Sequence, residues 1–149
     1  MSKSIQILNG PNLNMLGTRE PEIYGSQTLA DIEALCRQHA APLGLEIDFR
    51  QSNSEGELVD WIQAAHQQFA AIILNAGAYT HTSIAILDAL LIFDGPIIEV
   101  HISPLFRRDE FRHLSYVSKA ACAKIEGFGI SGYGHAITRL AELARARAA

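Results

Sequence analysis

Ala70-Ala-Ile-Ile-Leu-Asn75 is an unbroken apolar run ending in an amide. A strand with one wet face alternates apolar and polar residues, whereas a run that is apolar throughout is buried on both faces, as in a parallel sheet. Upstream of it, Ser54-Glu-Gly-Glu57 reads as a capping box, and Leu58, Trp61, Ile62, Ala65 and Phe69 form the apolar stripe of a helix. Downstream, Thr82 or Ser83 starts another helix with Ile84, Leu87, Leu90 and Leu91 inward, and Asp94-Gly95-Pro96 stops it. The same alternation extends in both directions. Ile5 to Leu8, Leu45 to Phe49, Pro96 to His101 and, more weakly, Cys122 to Phe128 read as further strands. Thr28 with Asp31 caps a helix carrying Leu29, Ile32, Leu35 and Cys36 and closed by Leu43-Gly44; Gly134 to Arg147 forms a last amphipathic helix. Strands separated by helices predict an α/β domain spanning residues 1–149: a doubly wound, five-stranded parallel sheet in a three-layer α/β/α sandwich.

Composition narrows the class of function. Apolar residues make up 48% and charged residues 19%, the profile of an ordinary globular protein. A net charge of −4 without a basic stripe gives no electrostatic footprint for nucleic acid. Met1-Ser-Lys-Ser runs straight into the first strand, so no signal peptide is expected, and no apolar run reaches the length of a membrane span. Cys36 and Cys122 lack metal-ligand spacing and read as buried thiols of a cytoplasmic protein.

In a doubly wound sheet, ligands bind beyond the carboxyl ends of the strands. Those ends carry Asn9-Gly-Pro-Asn12, Asn75-Ala-Gly-Ala-Tyr-Thr-His81 and Glu99-Val-His101-Ile-Ser103. Two His and two Asn on one edge point to a polar small-molecule site. Glu99 shares a face with His101 because strand side chains alternate, and a carboxylate in a central strand needs a partner, which His101 supplies. Asn75 can equally serve the backbone of the following turn. After the first strand comes a loop too long for a connector, with Asn12, Arg19 and Tyr24 on it and Gly17 and Gly25 flanking its Arg-Tyr portion. It reads as an active-site lid at about residues 17–26. Arg107-Arg-Asp-Glu-Phe-Arg112 follows the His101–Ser103 strand end and puts at least one Arg within reach of an anionic substrate. Asp88, one turn after Ile84, is either a surface charge or an interface residue.

Gly127-Phe-Gly-Ile-Ser-Gly132 has the spacing of a dinucleotide fingerprint but follows the last strand, with no acidic residue about 20 positions on. It reads as a tight strand-to-helix turn.

Taken together, the strand-end segments resemble the type II 3-dehydroquinate dehydratases. The matching pieces are Asn9-Gly-Pro-Asn-Leu-Asn-Met-Leu-Gly17, Arg19-Glu-Pro-Glu-Ile-Tyr-Gly25, Gln51-Ser-Asn-Ser-Glu55, Asn75-Ala-Gly-Ala-Tyr-Thr-His-Thr-Ser83, Glu99-Val-His-Ile-Ser103 and Arg108-Asp-Glu-Phe-Arg112. The resemblance implies a flavodoxin-like fold and dehydration of 3-dehydroquinate to 3-dehydroshikimate by anti elimination through an enolate. It implies no cofactor, no metal and no Schiff base. Tyr24 would be the base, Arg19 would favour its phenolate, and Asn12 would stabilise the enolate oxygen through a water. His101, held by Glu99, would be the general acid. Asn75, His81 and Arg112 would hold the ring hydroxyls, and Ile102 and Ser103 would receive the carboxylate. Asp88 would reach the site of a neighbouring subunit in a homododecamer, a tetramer of trimers. The reaction serves shikimate and aromatic amino-acid biosynthesis or quinate breakdown.

The residue types suit that chemistry. At pH 7 only about a thousandth of a free Tyr is phenolate, and a nearby cation raises that fraction. A carboxylate-oriented His suits protonation of a departing hydroxide. The chain departs from the family at Pro104, commonly Asn; at Leu87, often basic; and at Phe106, for which nothing in the sequence gives a reason. Two other classes compete. One is a flavodoxin-like regulatory or mononucleotide-binding module, of which a phosphoacceptor receiver needs acids where Asn9 and Asn75 stand and a flavin binder would be yellow when purified. A Ser-His-Asp hydrolase using Ser103 or Ser83 needs a Gly-x-Ser-x-Gly elbow, which is missing.

Overall fold

The structure is a computed structural model that describes residues 3–18 and 20–148, with the backbone alone at Tyr24. Its centre is an all-parallel sheet of β1 (Ser4–Asn9), β2 (Glu46–Gln51), β3 (Ala71–Asn75), β4 (Ile97–His101) and β5 (Ala123–Glu126), in the order β2-β1-β3-β4-β5. That order is the flavodoxin-like one, with its switch point between β1 and β3. The three central strands are buried at nearly every position, as the continuous apolar run of β3 requires.

Helices cover both faces. α1 (Pro21–Tyr24) is a single turn in the loop after β1. α2 (Leu29–Ala40) and α5 (Ser131–Ala148) pack together on one face over Ile5, Ile7, Ile73, Ile98 and Val100. α3 (Glu55–Ala65) and α4 (Ile84–Leu90) pack on the other over Leu8, Ile72, Leu74 and Ile97. The caps fall where the sequence puts them. Thr28 and Asp31 form a complete capping box, and Ser83 rather than Thr82 caps α4. At Ser54 only half of the expected box forms: its hydroxyl accepts from the Glu57 N–H, while its own N–H donates to Ser52 Oγ at 2.9 Å.

Two expectations are corrected. On α4, Ile84 and Leu91 face outward, 55% and 63% exposed, Leu87 is half-buried, and Ile86, Ala89, Leu90 and then Phe93 fill the core. The helix has seven residues, nearly all apolar, so its composition carries no phase; the Ser83 cap and packing against α3 set it. Cys122 is exposed, because it precedes the edge strand β5, whereas Cys36 is buried and its thiol is pushed up to about 12, mainly by desolvation.

α5 begins at Ser131, three residues before Gly134. Its glycines permit close packing rather than ending the helix: a Cβ on Gly134 would lie 2.6 Å from His39 Nε2 on α2. Gly127 to Gly132 is the turn between β5 and α5. Among the described residues no helix is long and apolar enough to cross a membrane.

Candidate active site

The loops leaving β1 and β3 meet at the switch point with almost no space between their backbones. A Cβ on Gly10 would sit 2.3 Å from the Ala76 carbonyl oxygen, and Gly77, at φ +59°, lies against Pro11. Only glycine fits such an approach. The Gly10 N–H donates to the Asn75 carbonyl at 2.7 Å, which closes the junction. Above it opens a polar pocket lined by Pro11, Asn12 and Leu13 after β1; Asn75, Gly77, Ala78 and His81 after β3; and His101, Ile102, Ser103, Leu105, Arg108 and Arg112 after β4.

Alternation along the strands feeds this pocket from both sides of the sheet. Asn9 and Asn75 lean toward α5, where the buried Tyr133 hydroxyl donates to Asn9 Oδ1 at 2.7 Å and accepts from Asn75 Nδ2 at 3.0 Å. Burial pushes the Tyr133 phenol well above its ordinary value, although the Asn75 bond counters it in part, so the group stays neutral. Asn75 Oδ1 accepts from the Gly77 N–H at 3.2 Å. The amide is therefore fixed in one orientation and keeps one N–H for the pocket.

Glu99 and His101 lean the other way. Glu99 is fully buried, and its Oε2 is 2.5 Å from His101 Nε2, a charge-assisted contact. Oε2 also accepts from Ser115 Oγ at 2.8 Å, and Oε1 accepts from Ser118 Oγ. Burial alone would raise the Glu99 pKa; the bonds from His101, Ser118 and Ser115 outweigh it and hold the carboxyl below its ordinary value. With Nε2 committed to the carboxylate, Nδ1 is the ring nitrogen of His101 left for a ligand.

His81 is set differently. Its Nδ1 lies 2.7 Å from the Leu114 carbonyl, which can only accept, so Nδ1 carries the proton. Burial, and more weakly His101 and Arg112, push its pKa down. The ring is thus neutral and offers Nε2 as an acceptor. Arg112 lines the wall with its guanidinium 5.0 Å from the Phe111 ring, its Nε buried and without a hydrogen-bond partner. Arg108 donates from Nη1 to Ser103 Oγ at 3.3 Å. Asn12 stands at the rim in a left-handed conformation, φ 70°, and its N–H donates to Asn53 Oδ1 at 3.0 Å.

Of the residues singled out in the sequence, Asn12, Asn75, His81, His101, Ile102, Ser103 and Arg112 share this pocket, with Glu99 directly behind His101. Asp88 is not among the lining residues; it is exposed on α4. Arg19 and the Tyr24 side chain lie outside the described residues. Gly17 and Gly25, on either side of α1, have φ of +91° and +79°, values that favour glycine. Sequence reasoning missed the second tier: Tyr133 behind Asn75, and Ser115 and Ser118 behind Glu99. It named Arg108 only within a charge run.

Comparison with known proteins agrees with this geometry. The family profile described as "Dehydroquinase class II" matches residues 3–141. A protein named 3-dehydroquinate dehydratase from Streptomyces avermitilis is 60% identical over 141 residues, covering 94% of this chain and 89% of its own. One of the same name from Methylobacterium radiotolerans is 56% identical over 149 residues, the whole of both chains. The crystal structure of type II dehydroquinase from Propionibacterium acnes superimposes with a TM-score of 0.91 at 44% identity, covering 95% of this chain and 98% of that one. By its sequence, its strand order and the pocket at its switch point, the chain belongs to the class II dehydroquinase family.

Proposed function

We propose that the protein dehydrates 3-dehydroquinate to 3-dehydroshikimate by anti elimination, through an enolate. The observation that carries this reading is the Glu99–His101 pair: a buried carboxylate holds one imidazole nitrogen and leaves the other facing a pocket walled by Arg108 and Arg112. The names of the relatives supply the substrate.

The proton alpha to the ketone goes to the Tyr24 phenolate, and the electron pair of the broken C–H bond moves onto the ketone oxygen as an enolate. Arg19 favours the phenolate by its charge, and closure of the 17–26 lid strengthens that attraction by excluding water. Asn12, through a bound water, donates to the enolate oxygen as its charge develops. The enolate then collapses, the new double bond forms, and the hydroxyl on the opposite face leaves as water with the proton of His101 Nδ1. Glu99 stabilises the imidazolium that gives it. Asn75 as donor, His81 as acceptor and Arg112 as cation hold the ring hydroxyls, and the carboxylate sits at the Ile102–Ser103 backbone. Pro104 follows those two N–H groups and leaves them in place.

The active enzyme, in this reading, is a cytoplasmic homododecamer of single catalytic domains. The exposed Ile84, Leu91 and Ile92 beside Asp88 form an apolar strip suited to a subunit contact, through which Asp88 reaches a neighbour's pocket. The test is direct: mix the purified protein with 3-dehydroquinate and follow the ultraviolet absorbance of the conjugated product. Product formation abolished by His101→Ala supports the assignment; no product at micromolar enzyme refutes it.

A further inference from the structure

The irregular segment between β4 and β5 does more than return the chain. Beyond Arg112 it crosses the carboxyl ends of β3 and β4 and is fastened at several points. The Tyr116 N–H donates to the Thr80 carbonyl at 2.9 Å, and Val117 is buried in the α3–α4 core. The Ser118 N–H donates to Ser115 Oγ at 3.0 Å, which leaves the Ser115 hydroxyl proton for Glu99 Oε2 at 2.8 Å. The Ser118 hydroxyl takes the other carboxylate oxygen. Four residues before Ser118, the Leu114 carbonyl takes Nδ1 of His81.

We propose that Leu114–Ser118 is a positioning strap that fixes the orientation and protonation of both site histidines together, acting on His101 through Glu99 and on His81 through the Leu114 carbonyl. Neither serine lines the pocket, so both act through another group. A fully buried carboxylate with one donor on one oxygen would be free to rotate and would favour the protonated form. Three donors on two oxygens prevent both. The titratable and charged groups facing the pair and His81 include His101 and Glu99 on β4, His81 after β3, Arg108 and Arg112 ahead of the strap, and Lys124 at the register position of Glu99 on β5, 3.9 Å from Glu126. None of them supplies the bonds that the serines make.

The catalytic consequence rests on the assignment of His101 as general acid; the titration consequence does not. In Ser118→Ala the anionic carboxylate loses a donor, so the protonation steps of the Glu99–His101 pair move upward. With histidines labelled at 13Cε1, the ring titration of His101 in the free protein should rise by about half a pH unit or more, the size of one lost hydrogen bond. The His81 signal should shift with it. For 3-dehydroquinate turnover, kcat should fall about tenfold or more, KM should stay within about twofold, and the high-pH limb of kcat, set by the general acid, should move upward. Ser118→Thr keeps the hydroxyl and should restore the ring titrations, kcat and the pH profile, while a merely structural role would not give this split. An unchanged His101 titration in a folded Ser118→Ala protein overturns the proposal, and a shifted His101 with an unchanged His81 overturns the common strap. Wild-type protein inert toward 3-dehydroquinate refutes the enzymatic reading instead, and the ring titrations still decide the strap.

Discussion

Tyr133→Phe removes one oxygen atom from a position remote in sequence from the site residues it supports. That hydroxyl makes two bonds, to Asn9 Oδ1 at 2.7 Å and from Asn75 Nδ2 at 3.0 Å. Asn9 and Asn75 are 0% and 4% exposed, so water cannot replace the lost partner without opening the junction of β1 and β3. Each bond contributes about 1 kcal/mol net, and each amide group left buried and unpaired costs about 1–3 kcal/mol. Removing the phenol's own desolvation penalty offsets part of this, which leaves an expected loss of about 2–4 kcal/mol. That corresponds to a melting temperature lower by about 5–12 °C for a chain of this size. Urea unfolding followed by circular dichroism gives the loss directly. An alkaline signature accompanies it. The folded pKa of Tyr133 is raised above the ordinary 10.0, so its contribution to stability is complete below pH 10 and fades as pH rises beyond it. The gap between wild type and variant should therefore narrow above pH 10. Asn75 also loses the bond that orients its amide, and KM for 3-dehydroquinate should rise several-fold. A loss under about 1 kcal/mol with KM unchanged would refute the claim that this bridge fixes Asn75.

Tyr24→Phe should abolish nearly all turnover while substrate binding stays within a few-fold; retention of more than about a tenth of wild-type kcat would remove Tyr24 as the base. The folded pKa of His81 lies below its ordinary 6.5, so its contribution to stability is complete above pH 6.5 and declines as the solution is acidified. In His81→Asn, which keeps a donor for Leu114, the urea midpoint should fall less steeply between pH 7 and pH 5 than in wild type. An equal slope would assign the acid sensitivity elsewhere. Asp88→Ala should weaken both catalysis and assembly. Co-assembly of inactive Tyr24→Phe and Asp88→Ala proteins should restore activity in hybrid sites; verified mixed oligomers that stay inactive would place Asp88 in its own subunit's function.

The sheet was legible because burial on both faces marks its central strands, β3 being apolar up to Asn75, while the edge strands β2 and β5 alternate polar and apolar residues. The same physics made Asn75, Glu99, His101 and the Asn9–Asn12 segment visible, since an amide, acid or imidazole at the end of a buried strand has to face something. The second tier was hidden because its residues bear no such mark. Tyr133 lies in the first turn of an amphipathic helix, where its ring suits the core and its hydroxyl has no sequence signal. Ser115 and Ser118 sit in an irregular segment without periodicity. α4 misled for the opposite reason, since too many apolar positions erase the phase that an amphipathic stripe would supply.

The bridge from Tyr133 to Asn9 spans 124 residues of chain. During synthesis, β1 leaves the ribosome well before its closing partner, which follows 124 residues later. The pocket's backbone junction can form from β1 and β3 well before then, yet the Asn75 amide gains its second bond, from Nδ2 to Tyr133, only when α5 docks. In the proposed reading, competence to hold substrate is thus coupled to the docking of α5. A chain lacking α5 would keep every pocket-lining residue and still leave the Asn75 amide without its bond to Tyr133. If Asn75 holds the substrate as proposed, substrate affinity therefore reports whether α5 has docked on the sheet.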